Sequence, residues 1–204
     1  MLAAAGRAGR HVALSGGSTP RRAYELAAEL EPDWSPAEVW WADERCVPPD
    51  DERSNYRLAR EALLDRLAVP PRAVHRILGE RAPHEAARRY DDDLRGVTLY
   101  LVLLGIGADG HTASLFPHHE ALEEEERLAL AVERPDVARV TLTPPPLRAA
   151  RHIVFLVVGE EKAEAVGHAF AEETDPGTPA SLIRGERTTA VLDREAAAQL
   201  RGRF

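Results

Sequence analysis

What most constrains this chain is where its apolar residues fall: short uncharged runs, each closed by a turn, alternate with stretches in which apolar residues recur every three to four positions. Such runs suit strands buried on both faces, and the spacing between them suits amphipathic helices. The most apolar run, Val97 to Leu104, belongs at the centre of a sheet. His11 to Leu14, Val39 to Trp41, Leu128 to Val132, Val140 to Leu142, Ile153 to Val158 and Thr188 to Leu192 read as further strands. A helix is expected over Thr19 to Leu30, with Thr19 as its cap, Pro20 in the first helical position and Ala23, Leu26, Ala27 and Leu30 on the inward stripe. Another is expected over Asn55 to Leu67, capped by Ser54, with Tyr56, Ala59, Leu63 and Leu67 on one face. Further helices are expected over Glu85 to Leu94, over Glu160 to Phe170, and from an Asp193 cap through Leu200. The segments Thr143 to Pro146 and Asp175 to Pro179 read as loops. Strand and helix alternating this way predict an α/β fold, a largely parallel sheet flanked by helices on both faces, in a single domain over residues 1–204. In such sheets ligands bind beyond the carboxyl ends of the strands.

Charge and cysteine usage narrow the partners. A formal charge of -8 repels a phosphodiester backbone, so nucleic acid is not expected as a partner. The uncharged stretch Val97 to Gly107, closed by Asp109 two residues on, falls well short of the roughly 20 apolar residues that cross a bilayer. Arg7 and Arg10 interrupt the opening residues before a signal peptide forms, and the single cysteine, Cys46, suits a reducing compartment; a cytoplasmic address is expected. Cys46 itself, with no histidine near it in sequence, reads as a packed side chain without a role.

Three segments at strand ends carry chemistry. Ser15-Gly16-Gly17-Ser18-Thr19-Pro20, between the first strand and first helix, offers hydroxyls, close backbone approach and a helix N-terminus, which together favour an anion such as phosphate. An ordinary tight turn uses the same residues. Asp43-Glu44-Arg45 follows the Trp40-Trp41 strand; its acidic pair suits acid-base work and Arg45 offers a planar fork for phosphate, while an ion pair within the loop is the plainer reading. Gly105-Ile106-Gly107-Ala108-Asp109-Gly110-His111 contains GxGxxG, but Pro117 arrives too soon for the helix that a dinucleotide site requires. Gly107 and Gly110 instead position Asp109 and His111, and an imidazole, which titrates near neutrality, makes His111 the expected general base. Lys162 and Arg184 are further candidate cations for a ligand phosphate, although an exposed, solvated side chain is the plainer reading of each. The remaining histidines show no metal-ligand spacing, and neither metal nor cofactor is expected.

Taken together, Leu14 to Pro20, Trp41 to Pro48 with Ser54-Asn55-Tyr56, and Leu103 to Pro117 resemble the 6-phosphogluconolactonases, within the wider family that includes the glucosamine-6-phosphate deaminases. Arg139 to Thr143, Ala149 to His152, Gly159 to Lys162 and Pro179 to Leu182 extend the resemblance over nearly the whole chain. It implies a Rossmann-like fold and metal-independent hydrolysis of 6-phospho-D-glucono-1,5-lactone, the second step of the pentose phosphate pathway, with a sugar-phosphate lactone as partner and a monomer or homodimer as the assembly. On that reading His111 activates water, Asp109 supports the imidazole, and Ser15, Gly16, Gly17, Ser18, Thr19, Asp43, Arg45, Gly107, Gly110, Lys162 and Arg184 bind substrate and its phosphate, with N–H groups of the glycine loop receiving the oxyanion. The deaminase pattern resembles Asp-Glu-Tyr at Asp43-Glu44-Arg45 and has a glutamate where this chain has Phe116, which weakens a reading as a deaminase-like isomerase. A sugar-phosphate sensor without turnover and a dinucleotide-dependent oxidoreductase also compete with lactone hydrolysis. Tyr100 and Arg148 depart from the family pattern, which bears on details of the pocket, and only ten residues precede His11, where the family usually has an additional helix.

Overall fold

The computed structural model describes residues 1–184 and 187–200. Six strands, β1 (His11–Leu14), β2 (Glu38–Trp41), β4 (Ala73–Val74), β5 (Leu101–Leu104), β8 (His152–Val157) and β9 (Thr188–Leu192), form one sheet in the order β4-β2-β1-β5-β8-β9. Every pairing in it is parallel. The helices around it are α1 (Leu2–Arg7), α2 (Thr19–Leu30), α3 (Asn55–Ala62), α4 (Pro83–Asp93), α5 (Pro144–Arg148), α6 (Ala163–Ala169) and α7 (Pro179–Ile183). The apolar runs become strands because helices take both faces of the sheet from water: Val12, Leu14, Val39, Trp41, Val102 and Phe155 are fully buried. Trp40 and Trp41 each remove roughly 200 Å² from water, about 5 kcal/mol at 25 cal/mol per Å².

Two strands of a second sheet fall on the expected runs Leu128 to Val132 and Val140 to Leu142, but their antiparallel pairing in a separate sheet and its third strand have no counterpart among the expectations. β3 (Asp43–Arg45) leaves β2 after one residue and pairs antiparallel with β7 (Arg139–Leu142), which pairs antiparallel with β6 (Ala129–Val132). Three residues of mixed charge carry no strand periodicity; their extended form is set by β7, against which Asp43 faces Thr141 and Arg45 faces Arg139.

Two buried tyrosines fix the strand ends that matter. The Tyr24 hydroxyl donates to the Ser15 carbonyl at 2.6 Å and accepts the Ser15 N–H at 3.0 Å. The Tyr90 hydroxyl treats Trp41 likewise, donating at 2.9 Å and accepting at 2.8 Å. Each side chain satisfies a backbone pair where the ladder ends, a demand that burial makes strict.

Several local expectations are corrected. The bounds of α2 agree, but Ser18 occupies the cap position, Thr19 is already helical, and no side chain caps the helix. Its buried face is Pro20, Tyr24, Ala27 and Ala28, while Leu26 and Leu30 are exposed, because Tyr24 must reach Ser15. The second helix ends at Ala62 and a 3-10 turn, Leu64–Arg66, continues it. The Ser54 cap is present, its hydroxyl accepting the Arg57 N–H at 3.1 Å. Helix α4 starts at Pro83, and β5 only at Leu101. The stretch from Thr143 to Pro146 is no loop: α5 begins at Pro144, where prolines suit the first turn because its N–H groups need no helical partner. Glu160–Lys162 is a 3-10 turn ahead of α6. After β9, Asp193 accepts the Ala196 N–H at 2.8 Å, but the residues to 200 form turns rather than a helix. Ahead of β1 the chain does carry a helix, α1, whose Gly6 lies against Trp34. Among the described residues no helix is long and apolar enough to cross a membrane.

Candidate active site

Beyond the carboxyl ends of β1, β5 and β8, and beside β3 and β7, lies an open cleft of about 510 Å³. Ser15, Gly16, Gly17, Ser18 and Thr19 line one wall; Asp43, Arg45, Asn55 and Arg139 come from the second sheet and its neighbourhood; Gly107, His111 and Ala113 come from the loop after β5; Gly159, Glu161 and Lys162 follow β8. Loops far apart in sequence thus meet at the place where parallel strands end.

The turn after β1 is shaped by close approach. A Cβ on Gly16 would stand 1.7 Å from Asn55 Oδ1, so only glycine fits there. Ser15 is corrected from ligand to scaffold: its hydroxyl donates to the Leu103 carbonyl at 2.7 Å and its N–H is held by Tyr24. That leaves Gly16, Gly17, Ser18 and Thr19, at the N-terminus of α2, as the part of the turn that faces the cleft with its polar groups.

The Asp43-Glu44-Arg45 segment divides its labour by alternation along β3. Glu44 is buried away from the cleft and accepts four hydrogen bonds: from the N–H groups of Arg45, Asn55 and Tyr56 and from the Ser54 hydroxyl. Burial pushes its carboxyl up, and these donors offset only part of that shift. It caps the start of α3 and takes no part in acid-base work. Asp43 lines the cleft, yet its carboxylate accepts from Asn55 Nδ2 at 3.1 Å and from the Ser114 hydroxyl at 2.7 Å. A carboxylate repels a phosphate, so Asp43 is no ligand of that group; it stands in the cleft wall, held there as framework by these two donors. Arg45 donates to the Arg53 carbonyl at 2.5 Å and lines the cleft, while its Nε is buried without a protein partner. Burial pushes the Cys46 thiol up to about 11, in keeping with a packed side chain.

In the glycine loop Asp109 Oδ1 lies 2.5 Å from His111 Nδ1 and also accepts the His111 N–H at 3.2 Å. Burial alone would raise the Asp109 carboxyl, but the hydrogen bond and charge of His111 outweigh it and hold the group below its ordinary range. An ionised Asp109 fixes the proton on Nδ1 and leaves Nε2 as the basic nitrogen. A Cβ on Gly107 would stand 2.0 Å from His111 Nδ1, so the imidazole rests directly on the Gly107 backbone. Its outer side meets the Phe116 ring, centroids 4.9 Å apart. No helix begins within the GxGxxG segment, as the dinucleotide fingerprint would require. Within this loop the Gly107 N–H is donated to the His111 carbonyl at 2.8 Å and the Gly110 N–H to the Gly107 carbonyl at 2.9 Å, so neither of these two is free to receive an oxyanion. Gly110 abuts Thr178 and, like Asp109, stands behind the cleft wall.

Lys162 lines the cleft, with Glu161 beside it. Arg184 does not: its guanidinium donates to the Ser181 and Glu172 carbonyls, and it leaves the anion set. Tyr100, between Arg10 and His152, and Arg148, bound to Glu125 and the Leu182 carbonyl, also lie off the cleft. Sequence reasoning missed Asn55 and Arg139. Both sit inside segments that carried the resemblance, and Arg139 follows from Arg45 once β3 and β7 are known to pair.

Fold and cleft define an α/β protein whose pocket carries Arg45, Arg139 and Lys162 beside one carboxylate-supported imidazole. Over residues 1–192 the chain matches the family model described as glucosamine-6-phosphate isomerases/6-phosphogluconolactonase, and it belongs to that family. A 6-phosphogluconolactonase of Synechocystis is 39% identical, the match covering 93% of this chain and 84% of the relative. The crystal structure of 6-phosphogluconolactonase from Thermotoga maritima is 31% identical with a TM-score of 0.80, covering 90% of this chain and 84% of that one. A monomeric glucosamine-6-phosphate deaminase, 20% identical, has a TM-score of 0.83 and covers 97% of this chain and 95% of its own; that likeness is one of fold alone.

Proposed function

We propose that this chain, acting as one domain, hydrolyses 6-phospho-D-glucono-1,5-lactone to 6-phosphogluconate. The observation that carries the reading is the imidazole of His111, oriented by Asp109 and facing the same cleft as Gly16 to Thr19, Arg45 and Lys162. The similarity to named 6-phosphogluconolactonases supports it.

His111 Nε2 takes a proton from water as the water oxygen attacks the lactone carbonyl. The tetrahedral intermediate collapses by breaking the bond from C1 to the ring oxygen, and the imidazolium returns its proton to that oxygen. The products are the open-chain acid and an imidazole restored to its starting state. Asp109 stabilises the imidazolium and keeps Nδ1 protonated throughout. The remote phosphate is held by Gly16, Gly17, Ser18, Thr19, Arg45 and Lys162, so the ring is presented to the base at a fixed angle. An already reactive ester asks only for the roughly 10²- to 10⁴-fold that a positioned base supplies. The same chemistry favours lactone opening over deamination: the position next to His111 that would need a carboxylate for proton shuttling is the Phe116 ring.

The decisive experiment is acid release from the lactone with spontaneous hydrolysis subtracted, run beside ammonia release from glucosamine 6-phosphate. Net acid and no ammonia are expected. Ammonia release would transfer the chain to the deaminase branch, and thermal stabilisation by 6-phosphogluconate with neither product would make it a sensor.

A further inference from the structure

We infer that Ser114 is a positioning residue: its bonds to Asp43 and Thr141 lock the turn that follows His111 and thereby set where the imidazole stands. The inference deepens the hydrolytic reading above and rests on it.

Thr112 donates its N–H to the Leu115 carbonyl at 3.3 Å and Leu115 returns one to Thr112 at 2.9 Å, so Ala113 and Ser114 are the central residues of a tight two-residue turn directly after His111. Ala113 has φ 48, in the left-handed region, while Ser114 does not. A hairpin turn of that kind takes glycine in the first central position. An alanine persists there only where the surroundings over-determine the backbone. What surrounds it is a buried polar network. Ser114 is fully buried, and its hydroxyl donates to Asp43 Oδ2 at 2.7 Å while its N–H is taken by the Thr141 hydroxyl at 3.1 Å. Asp43 and Thr141 are opposite partners across β3 and β7, and Asn55 holds the other Asp43 oxygen. The second sheet therefore clamps a loop that belongs to the first. On the near side Thr112 donates its hydroxyl to the Gly105 carbonyl at 2.8 Å, and the His111 carbonyl is bound by Gly107, so the segment is tied at both flanks of the base. Asp43, buried within a cleft meant for an anion, has its use here: it orients Ser114 rather than touching the phosphate.

The test compares Ser114→Ala and Thr141→Val, which remove one latch bond each, with Thr141→Ser, which keeps the acceptor. Displacing a base by a fraction of its length lowers kcat by about 10- to 100-fold, with KM within about threefold, in the first two variants. Thr141→Ser restores kcat to within about twofold of wild type, and the double variant loses less than the product of the singles. Wild-type kcat in Ser114→Ala, or a loss confined to KM, overturns the latch; if Ser114→Ala does not fold, Thr141→Val against Thr141→Ser decides on the same terms. Should the wild-type chain show no net hydrolysis, the hydrolytic reading fails by itself. The latch is then decided by the His111 ring resonances in NMR, which shift in both disrupting variants if it exists and coincide with wild type if it does not.

Discussion

Two histidine–carboxylate pairs sit at opposite ends of the parallel sheet, and only one of them faces the cleft. Beyond the carboxyl end of β5, Asp109 holds His111 at 2.5 Å over a glycine floor, and the imidazole looks into the cleft. At the amino end of β2, Glu38 holds His75 at 2.8 Å, with His11 and Arg72 nearby at 3.7 and 3.3 Å. There the His75 ring lies flat on Trp40, centroids 3.8 Å apart, and Trp40 donates to His11 at 3.1 Å. The pair chemistry is the same; the surroundings differ. A stacked imidazole amid saturated partners stabilises a sheet edge, whereas one resting on bare backbone beside an anion pocket is placed to move a proton.

The sharpest way to break this contrast is to remove each histidine in turn. His111→Ala should lower net lactone hydrolysis by about 10²- to 10⁴-fold. His75→Ala should leave the rate within about twofold and lower urea-measured stability by about 1 kcal/mol. Equal losses would erase the distinction between the two pairs. Next in size is Asp109→Asn, expected to lower kcat about 10- to 100-fold with KM nearly unchanged, because the amide no longer stabilises the imidazolium. Arg45→Ala should act on binding instead, raising KM about tenfold through loss of a charge-assisted contact while kcat moves little; an unaltered KM would put the phosphate elsewhere in the cleft.

The smallest effect concerns pH. Burial alone would raise Glu38, but the His75 hydrogen bond and the charges of His11 and Arg72 prevail and hold it below its ordinary 4.5. A carboxyl lowered on folding contributes stability above 4.5 that is lost as pH falls through its native value. Urea midpoints should therefore decline below about pH 4.5 in wild type, and the decline should be shallower in Glu38→Gln.

Much of this is legible in the sequence, and the remainder for physical reasons is not. Continuous apolar runs declare the parallel strands, since nothing else buries both faces of so short a segment. The glycine loop and its histidine are legible because close approach and base chemistry each demand particular residue types. The inward face of α2 is misread because apolar periodicity weighs Leu26 and Leu30 above Ala28, whereas the helix is oriented by a hydroxyl, that of Tyr24, reaching Ser15. β3 is unreadable because its extended form is dictated by a partner nearly a hundred residues away in β7. The same long-range pairing conceals Arg139 and the purpose of Asp43. Arg184 looks available only because the carbonyls that engage it have no mark in sequence.

The absence of a side chain at Gly107 has a practical outcome. A methyl group there would claim the space where the imidazole now rests, and the atoms nearest to it belong to His111 and Asp109, in the loop after β5 rather than in a strand. Gly107→Ala is accordingly the route to a folded but silent twin of this chain, one able to hold intact lactone long enough for the bound ring to be seen.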